Sequence, residues 1–158
     1  MIATLLAILL VFMPCQSTSQ VSDAQKDKFI ELLKVLPRGH EGFYTEDAVT
    51  EAEAYMPVLF ALTEKDTANY DLYPFAAISR GLCDHKESRD YAVRHFAEIR
   101  HPKFKLFWGA MLFDAGVNSQ EIVQFLRDAL KSEGQAKSLS EMVGPRFEDL
   151  KRRIINHP

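Results

Sequence analysis

Pro102-Lys-Phe-Lys-Leu-Phe-Trp-Gly-Ala-Met-Leu-Phe-Asp-Ala-Gly116 is the stretch that decides the fold class. Phe104, Phe107, Trp108 and Met111 recur at i, i+3, i+4 and i+7, so the segment predicts a helix with that stripe turned inward. Pro102 suits the start, because the first N–H of a helix has no intrahelical partner and proline lacks that group. Gly116 marks the stop. The same spacing recurs to either side, and no alternating run bounded by hairpin signals interrupts it, which predicts an all-α fold.

Working towards the N-terminus, Asp84-His-Lys-Glu87 reads as a cap opening a helix through Tyr91, Ala92, Phe96 and Ile99 to about Arg100, where His101-Pro102 breaks it. Pro74 fits the first turn of a helix through Leu72, Phe75, Ala76, Ile78 and Leu82, after a polar loop at Glu64-Lys-Asp-Thr-Ala-Asn69. Thr45 caps a helix burying Ala48, Val49, Ala52, Met56, Leu59 and Phe60, with Pro57 either kinking or restarting it. Ser22-Asp-Ala-Gln25 fits a capping box for a first helix through Phe29, Leu32, Leu33 and Leu36, ended by Pro37-Arg-Gly39. Towards the C-terminus, Asn118-Ser-Gln-Glu121 caps a helix burying Ile122, Val123, Leu126, Ala129 and Leu130, with Gly134 beyond its end. Ser138-Leu-Ser-Glu141 opens a last helix, interrupted at Gly144-Pro145 and resumed through Phe147, Leu150 and Ile154 before a polar, frayed Asn156-His-Pro158.

Short connections make successive helices antiparallel, giving about seven helices in pairs. Pro102-Lys-Phe104-Lys105, followed by Gly109-Ala110, Leu112 and Gly116, resembles the second helix of a HEAT-type repeat. Phe75, Ala76-Ala77 and Ile78 occupy the places that Trp108, Gly109-Ala110 and Met111 take later, and the resemblance spans about residues 45–116. It implies a short right-handed array of helix pairs whose small residues let neighbours approach closely. An irregular helical bundle accounts for the same periodicity.

Met1 to Met13 is an uncharged apolar run ending at Pro14, roughly 20 Å as a helix and short of a roughly 30 Å hydrocarbon core. With Ser17 and Ser19 after it, the run reads as a signal peptide over 1–19 ahead of one α-helical domain over 20–158; a retained membrane anchor is the second choice. The chain is therefore expected to be exported, secreted or periplasmic. Removal of 1–19 would leave Cys83 as the lone cysteine, closing an apolar run and expected to be buried and inert; a Cys15–Cys83 bridge would require the apolar run to stay.

The chain has 158 residues, a net charge of −3 and five histidines, and its chemistry-bearing motifs are sparse. His40-Glu41 lacks the second histidine of a helical zinc site, and His95-Phe-Ala-Glu98 reverses the order a di-iron bundle uses, so no metal is expected. No nucleophile elbow or phosphate-cradling glycine loop is present, and no cofactor is expected. Charge is uneven: residues 20–75 carry a net −6 and residues 76–158 a net +3. Arg80, Lys86, Arg89, Arg94, Arg100, Lys103 and Lys105 form a basic stretch suited to an acidic protein rather than nucleic acid, although Asp84, Glu87, Asp90 and Glu98 lace it. Tyr91, Arg94, Arg100 and Lys103 are the candidate partner-binding residues, and Tyr70 and Tyr73 are further tyrosines that could line a groove. These features predict a non-enzymatic protein-binding or scaffold domain. The alternative is a small exported enzyme or ligand-binding domain using His95, His101 or Cys83, the last also with His85, in a site formed only by the fold.

Overall fold

The computed structural model describes residues 21–39, 43–62 and 73–158, and throughout these the chain is all-α. Ser22 Oγ accepts from the Gln25 N–H at 3.3 Å while the Gln25 side chain accepts from the Ser22 N–H at 2.8 Å, so the expected capping box opens α1, Asp23–Val35. The Tyr44 hydroxyl donates to the Leu33 carbonyl at 2.8 Å near its end, and one isolated antiparallel bridge joins Arg38 to Tyr44. Thr45 Oγ1 accepts from the Ala48 N–H and caps α2, Glu46–Glu53. Pro57 restarts the chain rather than kinking it: α3 is Met56–Leu62, with the proline in its first turn.

Beyond it, α4 spans Tyr73–Leu82 and α5 spans Lys86–Arg94. Two expectations are corrected here. The N-cap of α5 is His85 rather than Asp84 and makes no side-chain capping bond. The helix also ends at Arg94 instead of about Arg100, giving way to a 3-10 turn, Phe96–Glu98. Ile99 is extended, as is His101, whose place before Pro102 favours that conformation, so Phe96 and Ile99 reach the core from a turn and not from a helix face.

His101 then caps α6, Pro102–Asp114, with Nδ1 accepting from the Phe104 N–H at 3.3 Å. The chain continues through α7, Gln120–Lys131, α8, Glu133–Val143, a 3-10 turn at Gly144–Arg146, and α9, Phe147–Ile155. Ser119, not Asn118, is the N-cap of α7. Ser132 both ends α7 and caps α8, six residues before the expected start at Ser138, so that Gly134 falls in the exposed first turn of α8. The tail is docked rather than frayed: Arg127 donates to the carbonyls of Ile154, at 3.3 Å, and of His157, whose ring lies 5.7 Å from that of Phe113.

Among the described residues, α1 packs on α3, α2 on α4, α4 on α6, α6 on α8 and α7 on α9, while α7 also joins α6 to α8. The buried side chains form one cluster, with Trp108, Phe29 and Phe96 the largest of those wholly enclosed. Helix α6 sits at its centre, against α4, α5, α7 and α8. It consequently buries more than one stripe: Leu106, Leu112 and Phe113 are enclosed along with Phe104 and Trp108, whereas Phe107 and Met111 are only partly covered. A helix apolar nearly all round is an interior helix, and the single stripe expected from spacing understated that.

Candidate functional site

The elbow from α5 to α6 carries the four candidate residues, and its shape is fixed by side chains spent on the backbone. Arg89 donates to the carbonyls of Cys83 at 2.8 Å and Asp84 at 2.7 Å, closing the end of α4. Ser88, wholly buried, donates to Glu53 of α2 at 2.9 Å, and His85 places Nε2 3.1 Å from Glu46 and Nδ1 3.5 Å from Glu53. Lys105 donates to the Ala97 carbonyl at 3.3 Å and lies over the rings of Phe96 and Phe125, at 5.0 and 5.5 Å. These contacts remove Arg89 and Lys105 from any recruiting surface.

Lys86 pairs with Asp90 at 2.6 Å, and the Arg80 guanidinium stands 5.0 Å from the Phe43 ring. Arg94, Arg100 and Lys103 are the remaining members of the stretch: all three are exposed, and none has a carboxylate within ion-pair distance among the described residues. Tyr91, one turn before Arg94, is half-buried, stacked on His95 at 4.2 Å and set edge-on to Phe60 at 5.4 Å. Burial first and the Glu98 charge second push its hydroxyl above the usual tyrosine range, partly offset by Arg94, so it remains a neutral donor. The elbow thus carries three exposed cations without a carboxylate partner among the described residues, and one half-buried tyrosine a turn from Arg94. What spacing could not show is why Lys86, Arg89 and Lys105 are occupied while these three are not, because that depends on which backbone carbonyls and carboxylates the fold brings near.

The candidate catalytic residues are not brought together. His95 pairs with Glu98 at 3.0 Å and His101 is spent as a helix cap. The ring nitrogens of His85 face Glu46 and Glu53, so the Cys83–His85 thiol pair does not form. Among the described residues no group of three or more His, Cys, Asp or Glu side chains is placed to hold a metal ion, and no helix is long and apolar enough to cross a membrane. The apolar run at 1–19, with Cys15, lies outside the described residues, as do His40, Tyr70 and the side chain of Tyr73. Comparison with protein-family models, curated proteins and solved structures finds no match.

Cys83 is enclosed, with 1% of its surface exposed, and burial, reinforced by the charges of Asp84 and Asp114 against an opposing Arg89, pushes its thiol up to about 12. Only the thiolate alkylates, so iodoacetamide at mildly alkaline pH is expected to leave Cys83 of the folded protein unmodified. In denaturant the same treatment adds one carbamidomethyl group at Cys83, read by peptide mass mapping.

Proposed function

We propose that this chain is an exported, non-enzymatic protein-binding or scaffold domain that docks an acidic protein on the α5–α6 elbow. The observation that carries the reading is the trio Arg94, Arg100 and Lys103 on one elbow, exposed and without a carboxylate partner among the described residues, with the half-buried Tyr91 one turn from Arg94. Aromatic anchors ringed by cations are common hot-spot chemistry, and unpaired surface cations steer an acidic surface at long range. Export rests on the sequence of residues 1–19. The HEAT-like kinship rests on the Pro102 to Gly116 pattern, and the alternate-helix packing accommodates either an array or an irregular bundle.

The test is crosslinking and co-purification of the tagged chain from its native exported fraction, wild type against Arg94→Glu/Arg100→Glu. Each surface charge contributes up to about 1 kcal/mol, so reversing two should weaken capture of an acidic partner about tenfold or more, with the loss growing at low salt. Both positions are exposed, and the far-ultraviolet circular dichroism and melting temperature should stay unchanged. Equal capture by the double variant would overturn the elbow as the docking face.

A further inference from the structure

A cavity of about 330 Å³ opens beside α6, between the end of α4 and the α8–α9 corner. Three sulfur-bearing residues line it from three parts of the fold: Cys83 just past the end of α4, Met111 on α6 and Met142 on α8. The described residues hold one further sulfur, that of Met56, which is buried on α3 and does not line the cavity. Three of the four described sulfurs therefore border one void. Met111 and Met142 are only partly covered, and an unbranched thioether side chain has three rotatable bonds with which to reach into the open space.

The Cys83 thiol belongs to the same surroundings. Its carbonyl is held by Arg89 at 2.8 Å, and after burial itself the groups that raise the thiol are Asp84 and Asp114, both of which line the cavity. The formal charges of the lining cancel, Arg80 and Arg146 against Asp84 and Asp114, and Asp114 is already paired with Arg146 at 2.6 Å. No histidine is among the described residues that line it, so a hard or borderline ion finds neither a pair of free carboxylates nor an imidazole there. The cavity is therefore marked by the softness of its donors rather than by charge. Two thioethers and a thiol are the ligand types that select Cu(I) over hard divalent ions.

We propose that this cavity binds a soft monovalent metal ion of the Cu(I) class, held by the thioethers of Met111 and Met142 and the sulfur of Cys83. On binding, the S–H bond of Cys83 breaks as the metal–sulfur bond forms, the proton leaves to solvent, and the metal keeps its oxidation state. The ion's charge takes the place of the proton, which is how a thiol raised by burial becomes a ligand at neutral pH. A thiolate with one monovalent cation is neutral, so the balanced lining stays balanced. The site is separate from the α5–α6 elbow and independent of the protein-binding reading.

Ag(I), Cu(I) kept reduced without oxygen, Zn(II) and Mg(II) are the probes, titrated into the full chain in chloride-free buffer near neutral pH and followed by methionine methyl signals and by calorimetry. Ag(I) and Cu(I) should each shift the methyl signals of Met111 and Met142 saturably and leave that of the enclosed Met56 in place. The methyl signals, unlike the total heat, separate this cavity from Met1, Met13 and Cys15. Zn(II) and Mg(II) should move neither cavity methionine. Met111→Leu and Met142→Leu conserve volume at partly covered positions and should fold, and each should weaken Ag(I) binding at least about tenfold, the lower end of the roughly 10–100-fold cost of disturbing even the outer partners of a metal site. Cys83→Ala should weaken it by as much and release one proton fewer than wild type, read from the dependence of the heat on buffer ionisation; the leucine variants decide the matter should it fail to fold. Four outcomes would overturn the proposal: Ag(I) leaving both cavity methyl signals unmoved, Zn(II) moving them as readily, leucine variants binding as tightly as wild type, or a folded Cys83→Ala doing so. Capture through the elbow should be unaffected by Met111→Leu, so failure here and failure of the docking reading are told apart.

Discussion

Trp108→Ala is expected to lower the unfolding free energy by about 3–5 kcal/mol, the range for removing a large aromatic from a core. Trp108 is wholly enclosed on α6, with ring centroids 5.5 Å from Phe60 of α3 and 6.3 Å from Phe104. Its truncation therefore empties the place where α3 meets the central helix. Against a total stability of roughly 5–15 kcal/mol for an ordinary domain, that is about a fifth of the whole at the least. Trp108→Phe should cost far less, about 1 kcal/mol, because the buried Nε1–H has no hydrogen-bond partner among the described residues and the replacement removes that unsatisfied donor while keeping a ring. Urea unfolding followed by circular dichroism measures both. An alanine variant within 1 kcal/mol of wild type would show that α6 is not the core helix, an outcome outside the roughly 2–5 kcal/mol spread of comparable large-to-small changes.

The helices were legible because local rules suffice for them. Ser22 with Gln25, Thr45 and Pro102 each act within one turn, and the structure uses all three as their spacing implies. What spacing could not supply is competition between neighbours. Ser132 and Ser138 are both acceptable starts; the chain uses Ser132, the residue that also closes α7. Phe96 and Ile99 fit a continued α5 by spacing, yet the chain leaves the helix at Arg94 and carries them to the core on a turn ahead of the extended His101. The tail looked polar and free, and only the fold reveals Arg127 of α7 reaching its carbonyls from 27 residues away. The same limit governs the site. Arg89, Arg94 and Lys105 are alike as sequence, and a carbonyl of Cys83 or Ala97 decides which of them is occupied. The uncovered side of α6 was illegible for a related reason: Phe107 and Met111 read as core, and they are only partly covered where α4 and α8 flank α6.

Gly81→Ala is expected to destabilise the fold by about 1–3 kcal/mol, the cost of overpacking, even though alanine is favoured over glycine in a helix by about 1 kcal/mol. Gly81 lies on α4 against α2, and a Cβ there would press into Val49 Cγ2 while standing 3.2 Å from Cγ1 and 3.4 Å from Cβ of the same residue. Val49 is itself buried and β-branched, so it has little freedom to rotate away, and relief must come from moving α2. The two helices have no slack for that: Val49 is flanked on α2 by the enclosed Ala48 and Ala52, and α2 is further tied to α5 through Glu53 and Ser88. Val49→Ala alone should also destabilise, by leaving a gap. Combined, the methyl added at position 81 takes up part of the space left by the two carbons lost at position 49, so Gly81→Ala/Val49→Ala should be more stable than the sum of the single changes by about 0.5–3 kcal/mol, the coupling seen between touching residues. Strict additivity in chemical denaturation would mean that α2 and α4 do not meet at this glycine.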